Sequence, residues 1–306
     1  MKKIALIIPY FGKFRNDIGF WVESVRYNPT IDFLLFTDLK INKCPKNLKV
    51  IECTFEEIKK RTQTLFDFPI CIPFIYKLCD FKVAYGEIFS DWLREYDFWG
   101  YCDNDLVFGN IRKFITDEIL ETHDRILARG HFSLYRNSKN VNEMYKKASP
   151  SYRTVFSTES IWAFDEWPGT SRYWKTDCAS RFYDKIIFDD LDINKFNFVA
   201  VHKKELDKGR TNFIYSFDKG KLCRIFLQNG GVSSEETMYV HFQKRKLRLQ
   251  TLPSERFLMV PNCILPYEEN IDVKFLEKYA CKRYIYFPMI LRKMKTLKKK
   301  IKHIIK

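Results

Sequence analysis

The nine cysteines of this chain include no Cys-x-x-Cys pair. A dispersed, odd set of thiols has neither the spacing of a zinc ribbon nor the even count of a disulfide framework. It reads as reduced cysteine in a cytosolic protein. No apolar run reaches the length of a membrane span. Met1-Lys2-Lys3 ahead of Ile4–Ile8 imitates a signal peptide, but the apolar run is short, Pro9 ends it and no small-residue cleavage site follows. Acids are missing from Lys282 to Lys306, a stretch with ten Lys/Arg. Those bases are confined to one terminal segment and no nucleic-acid motif accompanies them, so nucleic acid is not expected as a partner.

What is present suits a large folded domain. The 306 residues are enough for one large α/β domain or two small ones, and 46% are apolar. Aromatics reach 17%, which implies a well-packed interior and ring-lined binding surfaces. The net charge of +15 favours anionic partners such as nucleoside diphosphates or an acidic membrane surface.

Taken in order, residues 3–8 are aliphatic and β-branched, as in a buried parallel strand. Pro9-Tyr10-Phe11-Gly12 ends it, and residues 17–27 follow with Ile18, Trp21, Val22 and Val25 at helical spacing. Strands are expected over 32–38 and 48–53, and Thr54 with Glu57 forms a capping box for a helix. This alternation predicts an α/β fold with a mostly parallel sheet flanked by helices. Ligands of such sheets lie outside the carboxyl ends of the strands. Pro9, Tyr10, Phe11 and Gly12 with Thr37 and Asp38 are therefore expected to line a nucleoside pocket. Gly12 would allow close backbone approach, Tyr10 or Phe11 would stack on a base, and Asp38 would accept from a ribose hydroxyl.

The central stretch is Tyr96-Asp97-Phe98-Trp99-Gly100-Tyr101-Cys102-Asp103-Asn104-Asp105. An aromatic strand stops at two aspartates spaced i and i+2. Carboxylates in an apolar context are costly unless something positive meets them. A divalent cation gripping phosphate oxygens, Mn2+ or Mg2+, suits the pair Asp103 and Asp105, with Asn104 between them beside the donor. Upstream, Pro69 and Pro73 mark an extended aromatic loop. Leu78, Phe81, Tyr85 and Phe89 then make one helical stripe, with Lys77, Asp80 and Lys82 near its start, where an anion would be welcome.

Downstream, 125–135 reads as a strand pair in which Arg129 and His131 face a bound sugar, as donor or acceptor, or else form a surface salt bridge and a satisfied histidine. Residues 137–153 read as a polar helical lid. Asp165 and Glu166 sit among Trp162, Phe164 and Trp167. Apolar enclosure raises a carboxyl pKa towards the range of a general base, and aromatic faces suit sugar rings. This pair is the catalytic candidate on the acceptor side.

The run Lys77-Leu-Cys-Asp-Phe-Lys-x-Ala-Tyr-Gly-Glu-Ile-Phe89, with Tyr96-Asp-Phe-Trp-Gly-x-Cys-Asp-x-Asp-Leu-x-Phe-Gly-Asn-Ile-Arg112, resembles an uncharacterised bacterial family of glycosyltransferase type. Members of that family are associated with capsule and lipopolysaccharide clusters. The run is also similar in layout to the glycogenin and lipooligosaccharide galactosyltransferase families. The resemblance covers about residues 4–250. It implies a GT-A (Rossmann-like) fold over 1–270, a nucleoside-diphosphate sugar donor such as a UDP-sugar, and a divalent metal. In those families a basic helix residue ahead of Asp-x-Asp contacts the donor, which maps onto Lys77 or Lys82. A late histidine completes the metal site, which maps onto His241, and a following lysine binds the diphosphate, here Lys244 or Lys246. Two aspartates with one histidine make a reasonable manganese set. The families' layout leans to retention of anomeric configuration, whereas Asp165–Glu166 would serve an inverting base.

Residues 271–306 are expected to form a separate tail. Ile290, Met294, Leu297, Ile301 and Ile304 follow helical spacing after Pro288. Such a basic amphipathic helix would lie on anionic lipid or dock on a protein partner. Together these readings describe a peripheral enzyme on the inner face of a bacterial plasma membrane, moving a hexose onto a surface polysaccharide or lipid-linked glycan. Two alternatives stand beside it. Asp103-Asn104-Asp105-Leu106-Val107 also fits the signature of haloacid-dehalogenase-like phosphatases, with Asp103 as nucleophile and Asp189–Asp190 as the later acid pair, although three strands precede it here. The other is a membrane-bound adaptor without catalysis.

Overall fold

The computed structural model describes residues 1–166, 169–202, 209–243, 245–280 and 294. They divide into two compact units that interleave along the chain. The first holds 1–15, 28–104 and 112–186; the second holds 16–27, 105–111 and the residues from 187 onward. The early strands are β1 (Ile4–Pro9), β2 (Ile31–Thr37), β3 (Leu48–Glu52), β4 (Phe98–Cys102), β5 (Leu106–Phe108), β6 (Arg125–Arg129), β7 (Phe132–Arg136) and β8 (Phe182–Tyr183). The later ones are β9 (Asp189–Asp190), β10 (Arg210–Asp218), β11 (Lys221–Gln228), β12 (Gly231–Glu236), β13 (Tyr239–His241), β14 (Arg248–Leu249), β15 (Arg256–Val260) and β16 (Cys263–Pro266).

The first unit is a seven-stranded sheet in the order β3-β2-β1-β4-β7-β6-β8. Strands β3, β2, β1 and β4 run parallel. β7 pairs antiparallel with both β4 and β6, and β8 runs parallel to β6. β1 and β4 are continuous apolar runs because both faces of a parallel sheet are covered. Thr54 caps the helix Phe55–Gln63 with the full reciprocal box: its hydroxyl accepts from the Glu57 amide, and the Glu57 carboxylate accepts from the Thr54 amide.

The stripe expected after Tyr76 is present, but the backbone there is not one helix. Short α-turns alternate with 3-10 turns from Ile75 to Leu93. Leu78, Phe81, Tyr85 and Phe89 remain buried because i+3 and i+4 neighbours share a face in both helix types. The segment lies hard against Trp99: a β-carbon on Gly86 would come within 2.5 Å of its Nε1. The expectation of a polar lid over 137–153 is overturned. Val141, Met144 and Tyr145 are buried, Trp99 Nε1 donates to Asn142 (2.7 Å), and the Tyr145 hydroxyl donates to Glu87 (2.6 Å). The segment closes the core.

The second unit is antiparallel in character, which the expectation of a single mostly parallel domain over 1–270 did not contain. Its six-stranded sheet has the order β12-β11-β10-β15-β16-β14. Lys219–Gly220 joins β10 to β11 and Asn229–Gly230 joins β11 to β12; all four residues have positive φ, as two-residue hairpin turns of type I′ require. A three-stranded sheet, β5-β13-β9, completes the unit. The helix Ile18–Arg26 sets Phe20 edge-on to Phe257, with centroids 4.8 Å apart. The helix Val273–Ala280 buries Leu276 and Ala280 and packs against β10 and β11, so the chain from 271 to 280 is part of this unit and not of a separate tail. The amphipathic helix expected beyond Pro288 lies outside the described residues, Met294 apart.

Gly100 of β4 leaves no room for a side chain in the first sheet. A β-carbon there would meet the Ser133 carbonyl at 2.2 Å and Leu134 Cδ2 at 2.6 Å. Gly100→Ala is expected to destabilise the protein by about 1–3 kcal/mol, the usual cost of overpacking a core that cannot give way. The midpoint of urea unfolding should fall with an unchanged slope.

Candidate metal centre

β1 has β2 on one side and β4 on the other, so the strand order reverses between β1 and β4. In open α/β sheets that reversal opens a crevice at the carboxyl ends, where ligands bind. Two of the residue sets singled out in the sequence, Pro9–Gly12 and Asp103, leave the sheet there.

β4 is buried along its whole length. Its chain is carried on by the Asp103 amide, which donates to the His131 carbonyl (3.0 Å). Asp103 is half-buried and its Oδ1 accepts from Lys82 Nζ (2.8 Å), which also donates to the Gly130 carbonyl (2.5 Å). Burial would push the Lys82 ammonium down, but Asp103 and Asp165 hold it charged and well above its ordinary value. The Asp165 carboxyl is buried, which with Glu166 and Asp103 pushes it up to about 7 although Lys82 opposes the shift. Its backbone carbonyl accepts from Arg125 Nη2 (3.2 Å) and Ser171 Oγ (2.8 Å), which fixes the loop. Glu166 is exposed and lies over Gly130, where a β-carbon would collide with its Oε1.

In the second unit, β5 and β13 pair with Leu106 opposite His241, and the Phe242 amide donates to the Asp105 carbonyl (3.0 Å). This register puts His241 Nε2 3.3 Å from Asp105 Oδ1. β9 runs parallel to β13 with Asp190 beside His241, so His241 Nδ1 lies 2.8 Å from Asp190 Oδ1. Gln243 Nε2 donates to the same oxygen (2.7 Å). Burial would lower the imidazole pKa, but the two carboxylates raise it to about 10. Asp105 and His241 of the second unit stand close enough to share one cation, and Asp103 precedes Asp105 by two residues in the chain. Two carboxylates and one imidazole fit a divalent cation, and manganese better than magnesium, which prefers an all-oxygen shell. Asp190 stands where an orienting carboxylate behind a metal-bound histidine stands. The sequence reading had it only as half of a phosphatase acid pair; its signal was an apolar Ile-Ile-Phe run stopping at acids, the same signal that marks Asp103.

The chain from 6 to 268 matches a family described as a family of unknown function, DUF6625. The chain belongs to the DUF6625 family. No curated protein matches it. In this DUF6625 chain the other expected residues divide into two groups. Asn104, between the two aspartates in the chain, is buried with its Nδ2 unpartnered. Asp38 is exposed, and Gly12 has φ +97°, a conformation that favours glycine. Lys246 is exposed, and Lys244 lies outside the described residues.

The second group is tied up in structure. Lys77 is fully buried and its three donors go to Asp80 (2.8 Å), the Val155 carbonyl (3.0 Å) and the Ser160 carbonyl (2.6 Å). It braces the core, whereas Lys82 reaches Asp103 and the Gly130 carbonyl. Phe11 is buried against Phe55, so it is not a stacking face. Tyr10 already stacks on Phe14 (5.4 Å) and its hydroxyl donates to the Lys13 carbonyl. Thr37 is buried, its hydroxyl accepting from Leu39 and its carbonyl from Cys53. Pro9 is the last residue of β1 and pairs with Phe36. Arg129 is held by Asp184 (3.1 Å).

Two outcomes follow from this geometry. Asp190→Asn should weaken manganese binding by roughly 10–100-fold, as loss of an orienting partner does, measured by titration of the full chain. In chelator, the raised His241 pKa contributes stability that is fully present below its ordinary value of 6.5 and is lost as pH rises through about 10. Thermal melts across that range should therefore fall more steeply for the wild type than for His241→Gln.

Proposed function

We propose that this protein is a metal-dependent glycosyltransferase that moves a sugar from a nucleoside-diphosphate sugar, such as a UDP-sugar, to a glycan or lipid-linked acceptor. The observation that carries the reading is Asp103-Asn104-Asp105 leaving the strand beside the sheet's reversal point, with His241 held by Asp190. A GT-A arrangement is the fold this implies. Asp103, Asp105 and His241 would hold Mn2+ or Mg2+. When bound, the metal supplies positive charge to the diphosphate that departs as the glycosidic bond breaks.

The protein's own groups do the rest. Lys82, kept charged by Asp103 and Asp165, adds fixed positive charge on the donor side. Asn104 Nδ2 donates to an oxygen of the diphosphate. Asp38 accepts from the nucleoside, and Gly12 lets the backbone approach it. Glu166, exposed and next in the chain to the buried Asp165, takes the proton of the acceptor hydroxyl if the reaction inverts. The ten bases between Lys282 and Lys306 would hold the enzyme on the anionic inner face of a plasma membrane.

The phosphatase reading draws no support from the acid pair it needs. Asp189 is ion-paired with Arg224 (2.7 Å) and Asp190 with His241, in a sheet other than the one that carries β4.

The deciding measurement is calorimetry of the full chain with uridine diphosphate and Mn2+. Saturable, metal-dependent binding is expected, and it should be lost in Asp103→Asn and in Asp105→Asn while circular dichroism stays unchanged. Nucleotide binding of wild-type strength in either variant would remove the metal assignment. Glu166→Gln should keep nucleotide affinity and lower transfer by roughly 10²–10⁴-fold, the contribution of a general base.

A further inference from the structure

Away from the metal centre, the first unit uses a wholly buried ion pair to hold an exposed loop. Lys77 and Asp80 have no solvent exposure, and Nζ lies 2.8 Å from Oδ2. Lys77 also grips the Val155 and Ser160 carbonyls. Asp80 accepts from the Phe164 amide (3.0 Å) and, through both oxygens, from the Trp162 amide (3.1 and 3.2 Å). Between those two amides Ala163 sits at φ +48°, the left-handed region that an alanine avoids. A buried ion pair adds little net stability, but it fixes one arrangement. Strained residues persist where the surroundings over-determine them, and they cluster at binding sites.

What all this fixes is an aromatic face in solvent. Trp162 is 42% exposed and Ile161 beside it 44%. The Trp162 Nε1 donates to Thr158 Oγ1 (3.0 Å), which sets the indole's orientation. The ion pair that seats Phe164 and Val155 in the core thus also fixes the half-exposed Trp162 beside them.

The charge around Trp162 selects among ligands. From Thr158 to Glu166 the loop carries no Lys or Arg, its exposed charges are Glu159 and Glu166, and its third acid, Asp165, is buried under the influence of Lys82. That balance repels phosphate, anionic headgroups and nucleic acid. It suits a neutral polyol, whose C–H face lies on an indole while its hydroxyls donate to carboxylates. We propose that Trp162 is the stacking face of a subsite for a neutral saccharide, with Glu166 accepting from its hydroxyls. Assigning this saccharide as the acceptor rests on the transferase reading; its binding does not.

The test uses the full chain labelled with 5-fluorotryptophan, the Trp162 resonance being the one missing from Trp162→Phe. Maltotetraose, cellotetraose and chitotetraose are titrated in turn, with phosphatidylglycerol vesicles as the anionic comparison. At least one tetrasaccharide should shift the Trp162 signal saturably, with binding weakened at least tenfold in Trp162→Ala. Thr158→Val, which frees the indole without removing it, should weaken binding by a smaller factor. Absence of a shift with all three sugars, equal binding by Trp162→Ala, or a shift with the vesicles alone would each overturn the subsite. Calorimetry with uridine diphosphate and Mn2+ on the same sample separates the two readings. Sugar binding without nucleotide binding keeps the subsite and removes the transferase, and the converse result does the opposite.

Discussion

Carboxylates in an aromatic-rich interior must find a cation, and this requirement organises both units. Asp80 takes Lys77, Asp103 and Asp165 share the field of Lys82, Asp189 takes Arg224, and Asp105 and Asp190 take the two sides of His241. Losing one partner of such a pair costs far more than the pair contributes, because a charge is left buried alone. Each pair therefore fixes the elements that carry it. Lys77–Asp80 fixes 155–164 on the helical turns; Asp190–His241 fixes β9 beside β13. The pair at Asp103 differs, because its carboxylate is only partly covered and so is still open to a ligand.

Much of this was legible in the residues. The first three strands, the capping box at Thr54 and the strand pair at 125–135 carry strong local signals, and the structure holds them nearly where they were expected. Asp103 was marked by ending an apolar run, with Asp105 two residues on, whereas His241 was singled out chiefly by the family resemblance. Other features depend on partners distant in sequence. Nothing local tells Lys77 from Lys82, yet one is sealed under Val155 and Ser160 and the other faces Asp103. Likewise Phe11 and Tyr10 are neighbours of similar chemistry, and only the packing of Phe55 makes the first of them core.

The antiparallel sheet of the second unit was missed for a different reason. Its turns, Lys219–Gly220 and Asn229–Gly230, are the residue types that two-residue hairpins demand. The strands beside them mix short apolar runs, such as Ile225-Phe226-Leu227, with polar positions, and Gly231–Glu236 has no apolar run at all. The signal lay in the turns.

That polar strand has a consequence for how the molecule behaves in company. β12 is an edge of its sheet, and an edge strand presents unpaired amides and carbonyls to any chain that comes near. With the sequence Gly-Val-Ser-Ser-Glu-Glu it is short, and Glu235 and Glu236 place charge at its end. Glu235 is itself engaged by Arg210 and Arg224, so it is the short, polar sequence of the strand that gives a second copy little to bury edge to edge, and the sheet thereby discourages its own extension.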